Sequence, residues 1–141
     1  MKKSIDSRNS SETSSYLGID FGQVKIGIAV ADQETRMAFV LGIFKNDKNF
    51  WDKMKEICDQ KNVEKIIIGI SNSKMKSSNT QEQKKFGEET EKKIGVSVEF
   101  QEEMFTTKIA HMNLLEKGEK NISKIDDGEA ARIILQSWLD K

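Results

Sequence analysis

Gly18-Ile19-Asp20-Phe21-Gly22-Gln23-Val24-Lys25-Ile26-Gly27-Ile28-Ala29-Val30-Ala31 is an apolar run, an acidic turn punctuated by glycine, and a second apolar run. Asp20 ends the first run and Lys25 opens the second, so the carboxylate is expected where two neighbouring strands meet. Gly22 and Gly27 keep the backbone beside it bare. Such a place would hold a metal or a phosphate. A plain hairpin explains the segment too, because turns favour Asp for its hydrogen bonds to nearby backbone, and the rest of the chain must decide between the two.

Working outward, Tyr16 to Phe21, Lys25 to Ala31 and Ala38 to Phe44 read as three consecutive strands forming a meander. The apolar period then changes: Phe50, Met54, Ile57 and Cys58 recur at helical spacing between about Asp47 and Lys61. Val63 to Ile70, with Ile66-Ile67-Ile68 inside it, is a continuous apolar strand expected at the centre of a sheet, covered on both faces. A polar segment, Ser71 to Thr80, leads into a charged helix from Gln81 to Lys93, a stop at Gly95 and a strand from Val96 to Gln101. Thr106 or Thr107 is expected to cap a helix carrying Ile109, Ala110, Met112 and Leu114, and Gly118 to Lys124 reads as a basic polar loop. Asp127 and its neighbours open a last helix with Ala130, Ala131, Ile134, Leu135, Trp138 and Leu139 as its apolar stripe. The order βββαβαβαα predicts an α/β fold: a mixed five-stranded sheet with helices on both faces. Ligands of such sheets sit at the carboxyl ends of the strands.

The 141 residues, 36% of them hydrophobic, suffice for one core and one domain over residues 16–141, preceded by a polar, serine-rich tail over residues 1–15. The 23 basic and 23 acidic side chains cancel, so no global field recruits nucleic acid; binding must rest on a local patch or on bound cations. No apolar stretch approaches the roughly 20 residues of a membrane span, and the start of the chain lacks the apolar core of a secretory signal. One cysteine, Cys58, falls in an amphipathic stretch as a buried, inert thiol, and the chain reads as a protein of the reducing cytoplasm.

Carboxylates from three separated segments have a route to one edge of that sheet: Asp20, Glu102 or Glu103, and Asp126 or Asp127. Like charges so placed raise one another's pKa unless cations lie between them, and carboxylate oxygens suit magnesium and manganese. A two-metal phosphodiester site follows, with one ion acidifying the attacking water and the other stabilising the leaving oxygen. It needs no histidine, and the only one, His111, sits among apolar helix residues. The competing reading makes Glu102-Glu103 a solvated strand end and Asp126-Asp127 a helix cap.

These residues carry a resemblance. Tyr16-Leu-Gly-Ile-Asp-Phe-Gly22 with Gly27-Ile-Ala-Val30, Val63-Glu-Lys-Ile-Ile-Ile-Gly-Ile70, Glu102-Glu-Met-Phe-Thr-Thr107 and Asp127-Gly-Glu-Ala-Ala-Arg-Ile-Ile-Leu-Gln-Ser-Trp-Leu139 resemble, in order, the motifs of the YqgF/RuvX family. The resemblance implies a ribonuclease H-like fold and a cytoplasmic, divalent-metal-dependent nuclease that trims the 5′ end of precursor 16S ribosomal RNA. It also implies likeness to Holliday junction resolvases. The acidic site maps onto Asp20, Glu103 and Asp127, with Glu102 second to Glu103 and Asp126 as the neighbouring cap. Two departures stand out: Met104 replaces the family's arginine, and Gly69-Ile-Ser-Asn-Ser-Lys-Met-Lys76 lacks the family's proline and acid after the fourth strand. The arginine would have supplied a bidentate phosphate contact.

Lys25, Lys74, Lys76, Thr106, Thr107, Lys120 and Lys124 adjoin the expected carboxylate edge and are candidates for phosphate binding, against solvated loops for the lysines and helix capping for the threonines. Two other classes compete. Sugar kinases and actin-like ATPases share the D-x-G turn but close two domains around the nucleotide, where this chain supplies one. A nucleic-acid-binding or ribosome-associated module that has lost catalysis fits Met104, whereas the surviving acids argue against it. A monomer and a homodimer are both compatible with the sequence.

Overall fold

In the computed structural model, which describes residues 13–71, 80–102 and 126–141, five strands form one sheet. They are β1 (Ser15–Asp20), β2 (Lys25–Asp32), β3 (Ala38–Lys45), β4 (Val63–Ile70) and β5 (Ser97–Glu102). Three helices are described: α1 (Phe50–Gln60), α2 (Thr80–Ile94) and α3 (Asp127–Leu139). The sheet order is β3-β2-β1-β4-β5, with β1 and β4 parallel, β4 and β5 parallel, and the β1–β2–β3 meander antiparallel.

The expected centre of the sheet is corrected by one strand. β1 occupies it, and β4, with its Ile66-Ile67-Ile68 run, lies between β1 and β5. Both are covered on both faces, so a continuous apolar run marks an interior strand without saying which one. Element ends shift by a few residues: Phe21 leaves β1 because the ladder stops where Asp20 meets Gly27, and α1 starts at Phe50. Ser15 already belongs to β1, and Thr13 donates from its hydroxyl to Asp32 at 3.0 Å. The helix expected after Thr106 and the loop Gly118 to Lys124 lie outside the described residues.

Alternation along the strands divides the core in two. Leu17, Ile19, Ile26, Ile28, Ile66 and Ile68 face α1 and α2, where Phe50, Met54 and Phe86 complete a cluster. Tyr16, Ala29, Ala31 and Ile67 face α3, against Ala131, Ile134, Leu135 and Leu139. Gly18, Gly27, Ala29 and Ala31 leave parts of this face low, so the helix backbone lies almost on the sheet there. A Cβ on Gly18 would stand 2.5 Å from Leu135 Cβ and 2.9 Å from the Ala131 carbonyl oxygen.

The far end of α3 is pinned. Gln136 accepts from the Ala38 amide at 2.9 Å and donates to the Arg36 carbonyl at 3.1 Å. Trp138 packs edge-on to Tyr16 with ring centroids 5.0 Å apart, and its Nε1 donates to Glu99 Oε1 at 2.9 Å. The Lys65 ammonium, 2.6 Å from Glu99 Oε2, together with Trp138 holds the Glu99 carboxyl below the usual carboxylate range.

Cys58 is buried, and burial, reinforced by Asp59, pushes its thiol from 9.0 up to about 12. The thiolate is the reacting form, so at pH 8 the folded protein should react with a disulfide reagent about 10³-fold more slowly than the chain unfolded in urea. Thiol release followed in buffer and in urea checks this. Because the folded thiol titrates higher than the unfolded one, the linked stability is complete below about pH 9 and fades as pH climbs towards 12.

Candidate active site

Asp20 is the last residue of β1, half-buried, and paired across the ladder with Gly27 of β2. Tyr16 and Gly18 face α3, so the period of two puts Asp20 on the same face. α3 runs antiparallel to β1 there. Four helix residues rise about 6 Å and two strand residues about 6.6 Å, so the two elements stay in step along the pair. Leu135 and Ala131 lie over Gly18, and the Asp127 carbonyl lies directly against Gly27, the residue opposite Asp20. A methyl group at Gly27 would overlap that carbonyl and stand 2.9 Å from the Gly128 amide. Two bare glycines thus bring the first turn of α3 to the end of β1, and with it Asp127, half-buried, to the edge where Asp20 stands.

Asp126 has a different task. Its backbone is extended (φ −74°, ψ 172°) and its Oδ1 accepts from the Glu129 amide at 2.8 Å, the geometry of an N-cap. The cap fixes where α3 begins and therefore where Asp127 sits.

Glu102 ends β5 and pairs with Ile70 at the same carboxyl edge. Its face differs from that of Asp20. Phe100 packs under Gly87 of α2, and Glu99 reaches Trp138 of α3, so alternation puts Glu102 on the α1/α2 face and Gln101 on the α3 face. The structure does not bring Glu102 onto the face of Asp20 and Asp127. Glu103, Lys74, Lys76, Thr106, Thr107, Lys120 and Lys124, with Met104 and His111, lie outside the described residues. Among the described residues no group of three His, Cys, Asp or Glu side chains is placed to hold a metal ion.

Lys25 opens β2, exposed, at this edge and pairs with the exposed Lys45 of β3. Like charges opposite one another disfavour pairing, so this pair stands out as a local concentration of positive charge at the edge. Lys45 escaped the sequence reading: a register counted back from the Gln33-Glu34-Thr35-Arg36 turn sets Phe44 opposite Lys25, and the irregularity between Ile28 and Ala29 moves the pairing to Lys45. Gln101 also escaped it. On the α3 face the register sets Asp20, Gly69 and Gln101 in a row across the sheet, and among the described residues the buried Gln101 Oε1 has no hydrogen-bond partner.

A mixed sheet in the order 3-2-1-4-5, with the last helix laid along the central strand, is a fold of the ribonuclease H-like class. The solved structures agree on the fold. Thermus thermophilus RuvC in complex with a Holliday junction substrate is similar with a TM-score of 0.56 and 14% identity, over 89% of this chain and 93% of that one. A fowlpox virus resolvase in complex with Holliday junction DNA is similar with a TM-score of 0.54 and 14% identity, over 89% and 97%. The chain belongs to the RuvX family, whose model, described as Holliday junction resolvase, matches residues 14–141. A relative from Colwellia psychrerythraea, named "Putative pre-16S rRNA nuclease", is 33% identical over 89% of this chain and 88% of its own length. A relative of the same name from Sulfurihydrogenibium sp. is 31% identical over 91% of each.

Proposed function

We propose that this nuclease hydrolyses phosphodiester bonds near the 5′ end of precursor 16S ribosomal RNA, at a site formed by Asp20, Asp127 and Glu103. The observation that carries the site is the contact of Asp127 with Gly27, the residue paired with Asp20. The names of the relatives support the substrate. The period of two turns Glu102 away from Asp20, and Glu103 stands as the third carboxylate on the strength of the family motif.

The donor set fits a hard divalent cation. It consists of carboxylate oxygens at a half-open edge, the ligands preferred by magnesium or manganese. Such ions, when bound, lower the pKa of water and neutralise charge on the leaving oxygen. The chain's own part is positional: the β1 end and the capped start of α3 hold Asp20 and Asp127 on one face, and Lys25 with Lys45 neutralises the flanking phosphates. Among the described residues no helix is long and apolar enough to cross a membrane, which fits action in the cytoplasm.

The direct test is cleavage of a 5′-extended 16S precursor RNA, with a four-way DNA junction beside it, in magnesium and in manganese. Metal-dependent trimming of the RNA is the expected result. Cutting confined to the junction would transfer the assignment to branched DNA, which the family's description supports. Cleavage of neither would favour a binding module and make Met104→Arg the first variant to examine.

The lysine patch makes a separate prediction. Replacing Lys25 and Lys45 together by alanine should weaken RNA binding and flatten the dependence of log K on log salt by about 0.7 for each phosphate that the variant no longer neutralises. Binding titrations between low and physiological salt read this directly. An unchanged slope would remove both lysines from the interface.

A further inference from the structure

On the opposite face of the β1 end, one residue beyond Asp20, lies a cavity of about 230 Å³ with an aromatic floor. Phe21 and Phe86 have ring centroids 4.5 Å apart, and Trp51 stacks on Phe86 at 5.6 Å with 28° between the planes. Phe86 is buried, whereas Phe21 and Trp51 are only half-buried. The cavity is smaller than the roughly 300–1,000 Å³ of sites for drug-sized ligands, so it suits one planar ring system.

Its polar rim is lopsided. Glu82, Glu89 and Asn46 supply acceptors against Lys85 among the residues lining it, while the Lys93 ammonium lies over the Trp51 ring, 5.3 Å from its centroid. Asn46 already engages its amide, Nδ2 donating to the Gly22 carbonyl at 2.8 Å, which turns Oδ1 into its remaining polar group. Glu82 is oriented by Gln23, whose Nε2 donates to its two oxygens at 3.2 and 3.3 Å. Two carboxylates repel a phosphate but accept hydrogen bonds from exocyclic amino groups.

We propose that this cavity takes one unpaired nucleobase of the substrate strand, by stacking on Phe21 beside Trp51, and prefers amino-bearing bases over uracil. The proposal rests on the nuclease reading above: Phe21 follows Asp20 where β1 ends, so a strand with one phosphate at Asp20 on the α3 face would reach the cavity by turning over that edge of the sheet. Aromatic platforms bind bases of single strands in this way. The amino groups of adenine and cytosine are donors that uracil lacks.

The probes are five-residue oligoadenylate and oligouridylate, added without divalent metal so that neither is cut. The readout is quenching of tryptophan fluorescence, with a Trp138→Phe variant assigning the signal to Trp51. Oligoadenylate should quench Trp51 and bind at least five-fold more tightly than oligouridylate. Phe21→Leu should weaken the oligoadenylate by about ten-fold. Glu89→Gln, at an exposed helix position, should narrow the preference without touching the aromatic floor.

Equal binding of the two oligomers, or binding that leaves Trp51 unquenched, would overturn the proposal. Cleavage of the precursor RNA by the same preparation keeps the two readings apart. Cleavage without quenching sinks the pocket alone, and quenching with adenine preference but no cleavage sinks the nuclease reading and leaves the pocket standing.

Discussion

Asp20→Asn is expected to lower metal-dependent cleavage by about 10³-fold or more, the largest loss from any single polar substitution in this chain. The exchange keeps the shape of the side chain and removes its charge. A cation held by carboxylates contributes several kcal/mol of charge stabilisation in the transition state, and each 1.36 kcal/mol is a factor of ten in rate. Asp20 sits at the meeting point of β1, Gly27 and the start of α3, so no other described carboxylate replaces it from the same position. The variant should fold normally, since Asp20 lies at the open end of the sheet rather than within either apolar cluster. Initial rates on precursor RNA, paired with thermal unfolding in the presence and absence of magnesium, check both halves. The wild type should gain stability from the metal, and Asp20→Asn should gain less. Cleavage retained within ten-fold would remove Asp20 from the site.

Gly27→Ala should be nearly as damaging to activity and far more damaging to stability, although it adds a single methyl group. That methyl meets the carbonyl of Asp127 and the Gly128 amide, which are backbone and cannot rotate away. Either α3 lifts off the sheet or the β2 strand bends. Overpacking of this kind costs about 1–3 kcal/mol and occasionally more, and lifting α3 also carries Asp127 away from Asp20. Gly42→Ala on β3 is the matched control: its methyl would meet only the Phe44 ring, at 3.3 Å, and a side chain gives way where backbone does not. Urea unfolding should show a large fall in midpoint for Gly27→Ala and a small change for Gly42→Ala. Equal effects of the two would mean that the close approach of α3 is not what assembles the site.

The contrast between those two glycines shows why part of the site was readable in the chain and part was not. Asp20 declared itself, because a carboxylate between two apolar runs and two glycines can only stand at a strand end. Asp127 was singled out only by the resemblance, whose D-x-x-A-A spacing it keeps; the residues alone left Asp126 and Asp127 level. Asp126 as the cap followed from its place before the apolar stripe, and its hydrogen bond to the Glu129 amide agrees. The adjacent pair Glu102-Glu103 was ambiguous for a physical reason. Consecutive strand residues face opposite sides of a sheet, and only the neighbours of Glu99 and Phe100 reveal which side is which. Lys45 was invisible because a register irregularity decides that it, rather than Phe44, pairs with Lys25, and Gln101 because it owes its place to strands remote in sequence.

By itself the sequence determined the elements, their order and the acids at their ends, since periodicity, glycine placement and capping act over a few residues. It also determined the kinship with RuvX proteins, carried by motifs in a set order. The tertiary structure decided what depends on neighbours remote in the chain: that β1 rather than β4 is central, that Glu102 turns away from Asp20, that Lys25 meets Lys45, and that Phe21, Trp51 and Phe86 surround a cavity. The physical reason is that register and facing are set by packing between segments, where the step of a helix turn must match two residues of strand and a bare glycine must meet a backbone carbonyl.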